Sequence, residues 1–238
     1  MLFPGNAKLG KHLIWSFSLP SGRADVCVGL TPACKRVCYA ARLESYRPSV
    51  ARRYEANLQH SRRRGFVRRM RAFLIANHVR VLRIHAGGEF RNPRYTRKWL
   101  TIIRRSPRVR FYSYTRSWRN PAIRRVLEVM AAEPNMQLWY SVDRDTGLPE
   151  AVPAGIRLAW LMTTVDDLPP RPVDLIFRPN SLRRQALTII ADSPVCPAED
   201  GVERPKPMTC DRCKTCWQAG SQAREVTSTI SLTMAPSS

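Results

Sequence analysis

The sequence predicts an α/β fold, a partial (β/α)6-type barrel with a C-terminal cysteine-rich extension, on three observations. Six short runs rich in branched and aromatic residues recur along the chain, the segments between them mostly have helical periodicity, and seven cysteines gather in two clusters near opposite ends. The candidate strands are Leu13 to Leu19, Val79 to His85, Val109 to Tyr114, Met136 to Val142, Ile156 to Met162 and Val173 to Phe177. Strands alternating with helices make parallel units, and such folds place their chemistry at the C-terminal ends of the strands.

In the first run Ser16 and Ser18 interrupt the apolar residues and no small-residue cleavage site follows, so it reads as a strand rather than a signal peptide. Before the second strand, Phe66, Met70, Phe73 and Leu74 form an apolar stripe at helical spacing. Tyr95 to Arg105 and Ala122 to Ala132 are the next helices, the latter opened by Asn120-Pro121 as a cap and first-turn pair. Later connections are shorter and richer in proline, so the repeat weakens. The division expected is 1–190 as the barrel, 191–220 as a cysteine-rich metal-binding module and 221–238 as a loose tail.

With 44% hydrophobic residues the chain is globular, and no apolar stretch approaches the roughly 18 residues that suggest a membrane span. A cytoplasmic protein without a membrane partner is expected. Lys and Arg number 40 against 18 for Asp and Glu, a formal charge of +22, with arginines gathered at Arg62 to Arg64, Arg68, Arg69 and Arg71. Such an excess attracts polyanions, making nucleic acid a possible partner, although arginines also solvate exposed helix faces.

The first cysteines, Cys27, Cys34 and Cys38, read C-x6-C-x3-C, punctuated by Gly29 and Pro32. Three thiolates suit an iron–sulfur core with one iron left open. The second cluster, Cys196, Cys210, Cys213 and Cys216, reads C-x13-C-x2-C-x2-C, a four-ligand set that closes a second 4Fe-4S cluster or a zinc site. Disulfides fit poorly in a chain of this length with no export signal. His12 or His60 is a candidate fourth ligand to the first cluster, which would make it a closed structural site.

Polar groups also collect where strands end. Gly87-Gly88-Glu89 follows the second strand, Thr115 and Arg116 the third, and Ser141 and Asp143 the fourth. Paired glycines let a backbone approach a ligand, and Glu89 offers an acceptor to an ammonium group. Arg116 is placed to bind a carboxylate or phosphate, cap the next helix or pair with Asp143. His85 reads as a strand-end histidine, and Trp15, Trp118 and Trp139 as packing residues.

The segments NAKLGK, FSLPSG, C-x6-C-x3-CYA, RIHAGGEF, FYSYTRSW and TCDRCKTCW resemble the phage gene-product-88 family over nearly the whole chain. The layout is similar to a shortened radical S-adenosylmethionine enzyme. That resemblance implies a 4Fe-4S cluster on Cys27, Cys34 and Cys38, although the spacing departs from the usual C-x3-C-x2-C. It also implies that Tyr39 is the aromatic residue after the last cysteine and that Gly87, Gly88 and Glu89 bind the S-adenosylmethionine amino group.

The function expected is therefore an iron–sulfur radical enzyme of unknown substrate, with nucleic acid or a nucleotide as a candidate, that binds S-adenosylmethionine and draws on a reductase or other electron donor. Thr115, Arg116, Ser141 and Asp143 would complete its cofactor rim. The alternative is a non-catalytic, metal-stabilised nucleic-acid-binding protein of phage or mobile-element origin.

Overall fold

The computed structural model describes residues 2–10, 13–182 and 193–218. Seven strands form one sheet in sequence order: β1 (Phe3–Pro4), β2 (Ile14–Phe17), β3 (Val81–Ile84), β4 (Arg110–Thr115), β5 (Met136–Val142), β6 (Ile156–Leu161) and β7 (Leu175–Phe177). The β1–β2 pair is antiparallel, and every later neighbour is parallel. All six expected runs are strands, with β5 matching end to end; β1 adds an edge strand too short to show alternation.

Between β2 and β3 come α1 (Pro32–Arg36), α2 (Tyr39–Tyr46), α3 (Pro48–Arg62) and α4 (Phe66–Ala76). Helix α5 (Pro93–Arg104) links β3 to β4, and α6 (Pro121–Ala131) links β4 to β5. Asn92 and Asn120 cap α5 and α6, each side chain accepting from backbone N–H groups of the first turn, with proline following in each case.

The (β/α)6 expectation is corrected here: helices join only the first four parallel strands, and the array is an open sheet of mixed α/β type. The β5–β6 connection contains Pro149 and Pro153, and the β6–β7 connection contains Pro169, Pro170 and Pro172. Proline removes a helical donor and restrains the residue before it, so these connections cross without a helix.

Alternation along the strands sorts the core into two layers. Phe17, Leu82, Ile84, Phe111, Leu138, Tyr140 and Trp160 face the helices, together with Phe66, Met70 and Trp99. Ile14, Val81, Tyr112, Trp139, Ala159 and Leu175 face the other way and pack with Leu9, Cys196 and Cys216. The second cysteine cluster, with the short helix α7 (Cys210–Cys213), thus covers the sheet face that the longer helices leave bare. The expected tail 221–238 lies outside the described residues, as do 191–192 and 219–220 of the expected module.

Candidate functional site

The loop after β2 carries the first three cysteines and is held by local chemistry. Thr31 caps α1, its Oγ1 accepting from Cys34 N at 3.0 Å, and Pro32 fills the first turn. Cys38 caps α2, its sulfur accepting from Ala41 N at 3.5 Å. Gly29 adopts φ +88°, and a Cβ there would lie 2.3 Å from the Arg116 carbonyl oxygen, so the loop rests directly on the end of β4.

Burial raises the Cys27 thiol to about 12, aided by the Glu89 carboxylate and by Cys38 and Cys34. Burial also raises Cys34, to about 11; Arg116 opposes this, while Cys38, Glu89 and Asp143 add to it. Glu89 and Cys38 therefore neighbour both Cys27 and Cys34, and Arg116 and Asp143 neighbour Cys34.

Beneath the thiols lies a closed hydrogen-bond network. Glu89 accepts from Thr115 Oγ1 at 2.5 Å, Arg116 N at 3.0 Å and Ser117 Oγ at 3.2 Å. Burial raises its pKa, and these bonds and the Arg116 charge hold the rise back. Arg116 Nε donates to Asp143 Oδ2 at 3.0 Å, and Asp143 also accepts from Thr31 Oγ1 at 2.7 Å. The Asp145 carboxylate accepts from Ala33 N at 2.7 Å, adding a second tie between the loop and the end of β5.

Of the residues expected at the rim, Thr115, Arg116 and Asp143 join this network; pairing with Asp143 is the fate of Arg116 among those open to it. Ser141 contributes its backbone carbonyl, which accepts from Trp118 Nε1 at 3.1 Å. Trp118 stacks on Tyr140 at 5.3 Å, and Trp139 is fully buried, both as packing residues. Gly87 N and Gly88 N donate to Ser18 Oγ and Ser21 Oγ, and a Cβ on Gly88 would lie 2.6 Å from Leu19 Cβ. The paired glycines therefore let two strand ends approach each other. His85 is buried with φ +61°, its Nε2 2.8 Å from the Tyr95 hydroxyl. His60 has Arg63 and Arg69 as its charged neighbours rather than a thiol, and His12 lies outside the described residues.

Sequence reasoning missed Thr31, Ser117 and Asp145. The Thr31-Pro32 pair carried a readable cap signal; Ser117 and Asp145 carried none, because their partners are remote in sequence.

The second cluster surrounds one small cavity of about 10 Å³, lined by Cys196, Cys210, Cys213, Cys216 and neighbours including Leu175 and Lys214. Its frame is tied to the sheet: Trp139 Nε1 donates to the Cys216 carbonyl at 3.0 Å and Arg157 to the Thr215 carbonyl at 3.1 Å. Burial raises Cys216 to about 12, and raises Cys196 as well. All seven cysteines are free thiols. The donor chemistry suits a thiophilic metal or iron–sulfur group at either place. Yet no group of three or more His, Cys, Asp or Glu among the described residues has converged to metal-holding geometry, so the metal-binding character expected of the extension rests on donor type and placement alone.

No helix among the described residues is long and apolar enough to cross a membrane. Comparison with known proteins gives relatives of one kind. Gene 88 protein of Mycobacterium phage D29 is 30% identical over 154 residues, 59% of this chain and 61% of that protein. Gene 88 protein of Mycobacterium phage L5 is 32% identical over 123 residues, 47% of this chain and 51% of that protein. The matches thus span between half and two thirds of these relatives. No solved structure matches the chain. The family model described as gene product 88 matches residues 1–219, nearly the whole chain, and the chain belongs to that family.

Proposed function

We propose that the chain is an iron–sulfur enzyme of the radical S-adenosylmethionine kind. The observation that supports this reading is that Glu89 and the other thiols are close enough to act on the charge of Cys27 and Cys34 in the loop after the first parallel strand. Cys27, Cys34 and Cys38 hold a 4Fe-4S cluster and leave one iron open; Cys196, Cys210, Cys213 and Cys216 hold a second cluster or a zinc ion. When bound, the first cluster and S-adenosylmethionine supply one-electron reductive chemistry, with the electron coming from a reductase or other donor.

The chain's own groups do the positioning. Glu89 keeps acceptor capacity on Oε1 beyond its bond to Arg116 N, and its charge reaches Cys27 and Cys34; an ammonium there would offset the charge that now raises both thiols. Gly87 and Gly88 hold Glu89 against β2. Thr115, Arg116, Ser141 and Asp143 form the floor of the same rim, and the buried Arg116–Asp143 pair keeps it rigid. Free thiols suit a reducing, cytoplasmic setting.

Anaerobic reconstitution with iron and sulfide, followed by iron analysis, electron paramagnetic resonance and S-adenosylmethionine titration, tests the reading. A site-differentiated cluster that Cys34→Ala removes and a quadruple C-terminal Cys→Ala variant retains supports it. Zinc alone, with no cofactor binding, rejects it.

A second reading, a metal-stabilised nucleic-acid-binding protein, is favoured by a separate observation. From residue 56 to 127 there are nineteen arginines and Lys98 against one carboxylate, Glu89. Arg62, Arg63, Arg64, Arg68, Arg94 and Arg97 are exposed around α4 and α5. Binding to a DNA oligonucleotide measured by fluorescence anisotropy across a salt series decides it: the slope counts phosphates neutralised, and substituting Arg64, Arg68 and Arg94 together should reduce it by about three contacts.

A further inference from the structure

The sheet face under the C-terminal module carries a polar group of residues that neither cysteine cluster uses. Arg83 on β3 stands opposite Tyr112 on β4, and Tyr114, two residues along, shares that face. The Arg83 guanidinium lies 5.5 Å from the Tyr114 ring centre, and its Nη2 donates to the Tyr39 hydroxyl at 3.4 Å.

Three donors in this patch are buried without a hydrogen-bond partner: Arg83 Nε, the Tyr112 hydroxyl and the Tyr114 hydroxyl. The Tyr114 hydroxyl does approach the Cys216 sulfur, but a thiol is a weak partner. No carboxylate among the described residues pairs with Arg83; the groups that act on its charge are Tyr39, Tyr112, Tyr114 and Cys210, all neutral in their ordinary state at pH 7.

A partly buried cation with no carboxylate partner is unfavourable while the C-terminal thiols are protonated, and each unmet buried donor adds to the cost. A single orphaned donor is a local defect; a guanidinium and two phenols converging on one face have the donor set of an oxyanion receptor. Trp139 and Phe177 pack around Tyr114, at 5.4 and 5.0 Å between ring centres, so the donors are flanked by aromatic rings. The side of the patch nearest solvent is Tyr39, which bonds Arg83, is 57% exposed and directly follows Cys38.

We propose that Arg83, Tyr112 and Tyr114 bind the oxyanion of a small molecule, a carboxylate or a phosphate, entering past Tyr39. The site goes beyond the cluster reading and stands whether or not Cys27, Cys34 and Cys38 hold iron. It would anchor the charged end of a ligand between the two cysteine clusters.

The test is calorimetric titration of the full-length protein, as purified, with inorganic phosphate and separately with acetate, at constant ionic strength in chloride. One saturable site for at least one probe is expected, and the probe that binds identifies the source of the oxyanion. Arg83→Met should weaken it more than tenfold and Tyr112→Phe about tenfold, as loss of a charge-assisted and a neutral donor implies. The metal-free stability of the Arg83→Met protein should be unchanged or higher, because an unmet cation has been removed. If Arg83→Met does not fold, Tyr112→Phe and Tyr114→Phe carry the test.

Three results overturn the proposal. One is binding unaffected by the Arg83 and tyrosine changes but lost in an Arg64, Arg68 and Arg94 triple variant, which would mark adsorption to the basic surface. Another is no saturable site for either probe. The third is an Arg83→Met protein that binds both probes normally but loses metal from the C-terminal cysteines, which would make Arg83 the counter-charge of that site.

Discussion

Arg116 donates through Nε to the Asp143 carboxylate at 3.0 Å, and this buried ion pair joins the end of β4 to the end of β5 beneath the three-cysteine loop. Asp143 is fully enclosed and accepts from Thr31 as well, so the loop, β4 and β5 meet at one carboxylate. Removing either partner leaves the other charge buried and unmet. Arg116→Met and Asp143→Asn should each destabilise by roughly 3–5 kcal/mol, and the double variant by clearly less than the sum. Urea denaturation of the four proteins measures the coupling; additive losses would show that the pair does not act as a unit.

Glycine replacements separate strain from contact. Gly29 and Gly147 both have positive φ, but a Cβ on Gly29 meets the Arg116 backbone at 2.3 Å while one on Gly147 meets nothing within 4 Å. Gly147→Ala should cost about 1–2 kcal/mol, the left-handed penalty alone. Gly29→Ala should cost more and disturb the thiol rim. Thermal melts compare the two, and equal losses would mean that the loop does not press on β4.

His85 supplies the pH dependence. Burial, then the Arg91 charge, lowers its pKa from 6.5 to about 3. The unfolded chain therefore binds a proton between pH 6.5 and 3 that the folded chain refuses, so stability falls as pH drops through that window, by about 5 kcal/mol in full. His85→Gln can keep a hydrogen bond to Tyr95 without titrating and should flatten this part of the curve. Urea midpoints at pH 7, 5 and 4 for both proteins check it; parallel curves would refute the assignment.

The metal proposed for the C-terminal cysteines should fasten that module to the sheet. Thiols gathered at one cavity fold most stably around an ion, so chelation should loosen the module from the sheet. Trp139 is fully buried and bonded to the Cys216 carbonyl, so its fluorescence should shift to the red on chelation and recover when zinc or iron is restored. A Trp139→Phe variant identifies the signal. An unchanged spectrum in protein from which bound metal has been shown to leave would separate fastening from metal.

The sequence by itself determined the strands, the main helices and the chemistry of the donors. Alternating apolar runs read on local pattern alone found β2 to β7, Asn-Pro pairs marked helix starts, and C-x2-C spacing marked a thiol cluster, because each signal lies within a few residues. Proline in the later connections also announced that the helical repeat would weaken, although not that the helices would be lost or that the array would stay an open sheet. What only the tertiary structure decided is which remote groups meet. Arg116 had several equally plausible partners until β4 and β5 paired in register; Glu89, read as a free acceptor, proved to hold Thr115, Arg116 and Ser117. The paired glycines, read as room for a ligand, proved to be where β2 and β3 approach. Arg83, Tyr112 and Tyr114 gave no signal at all, since their shared burial exists only after parallel pairing puts them on one face and the C-terminal cysteines cover it.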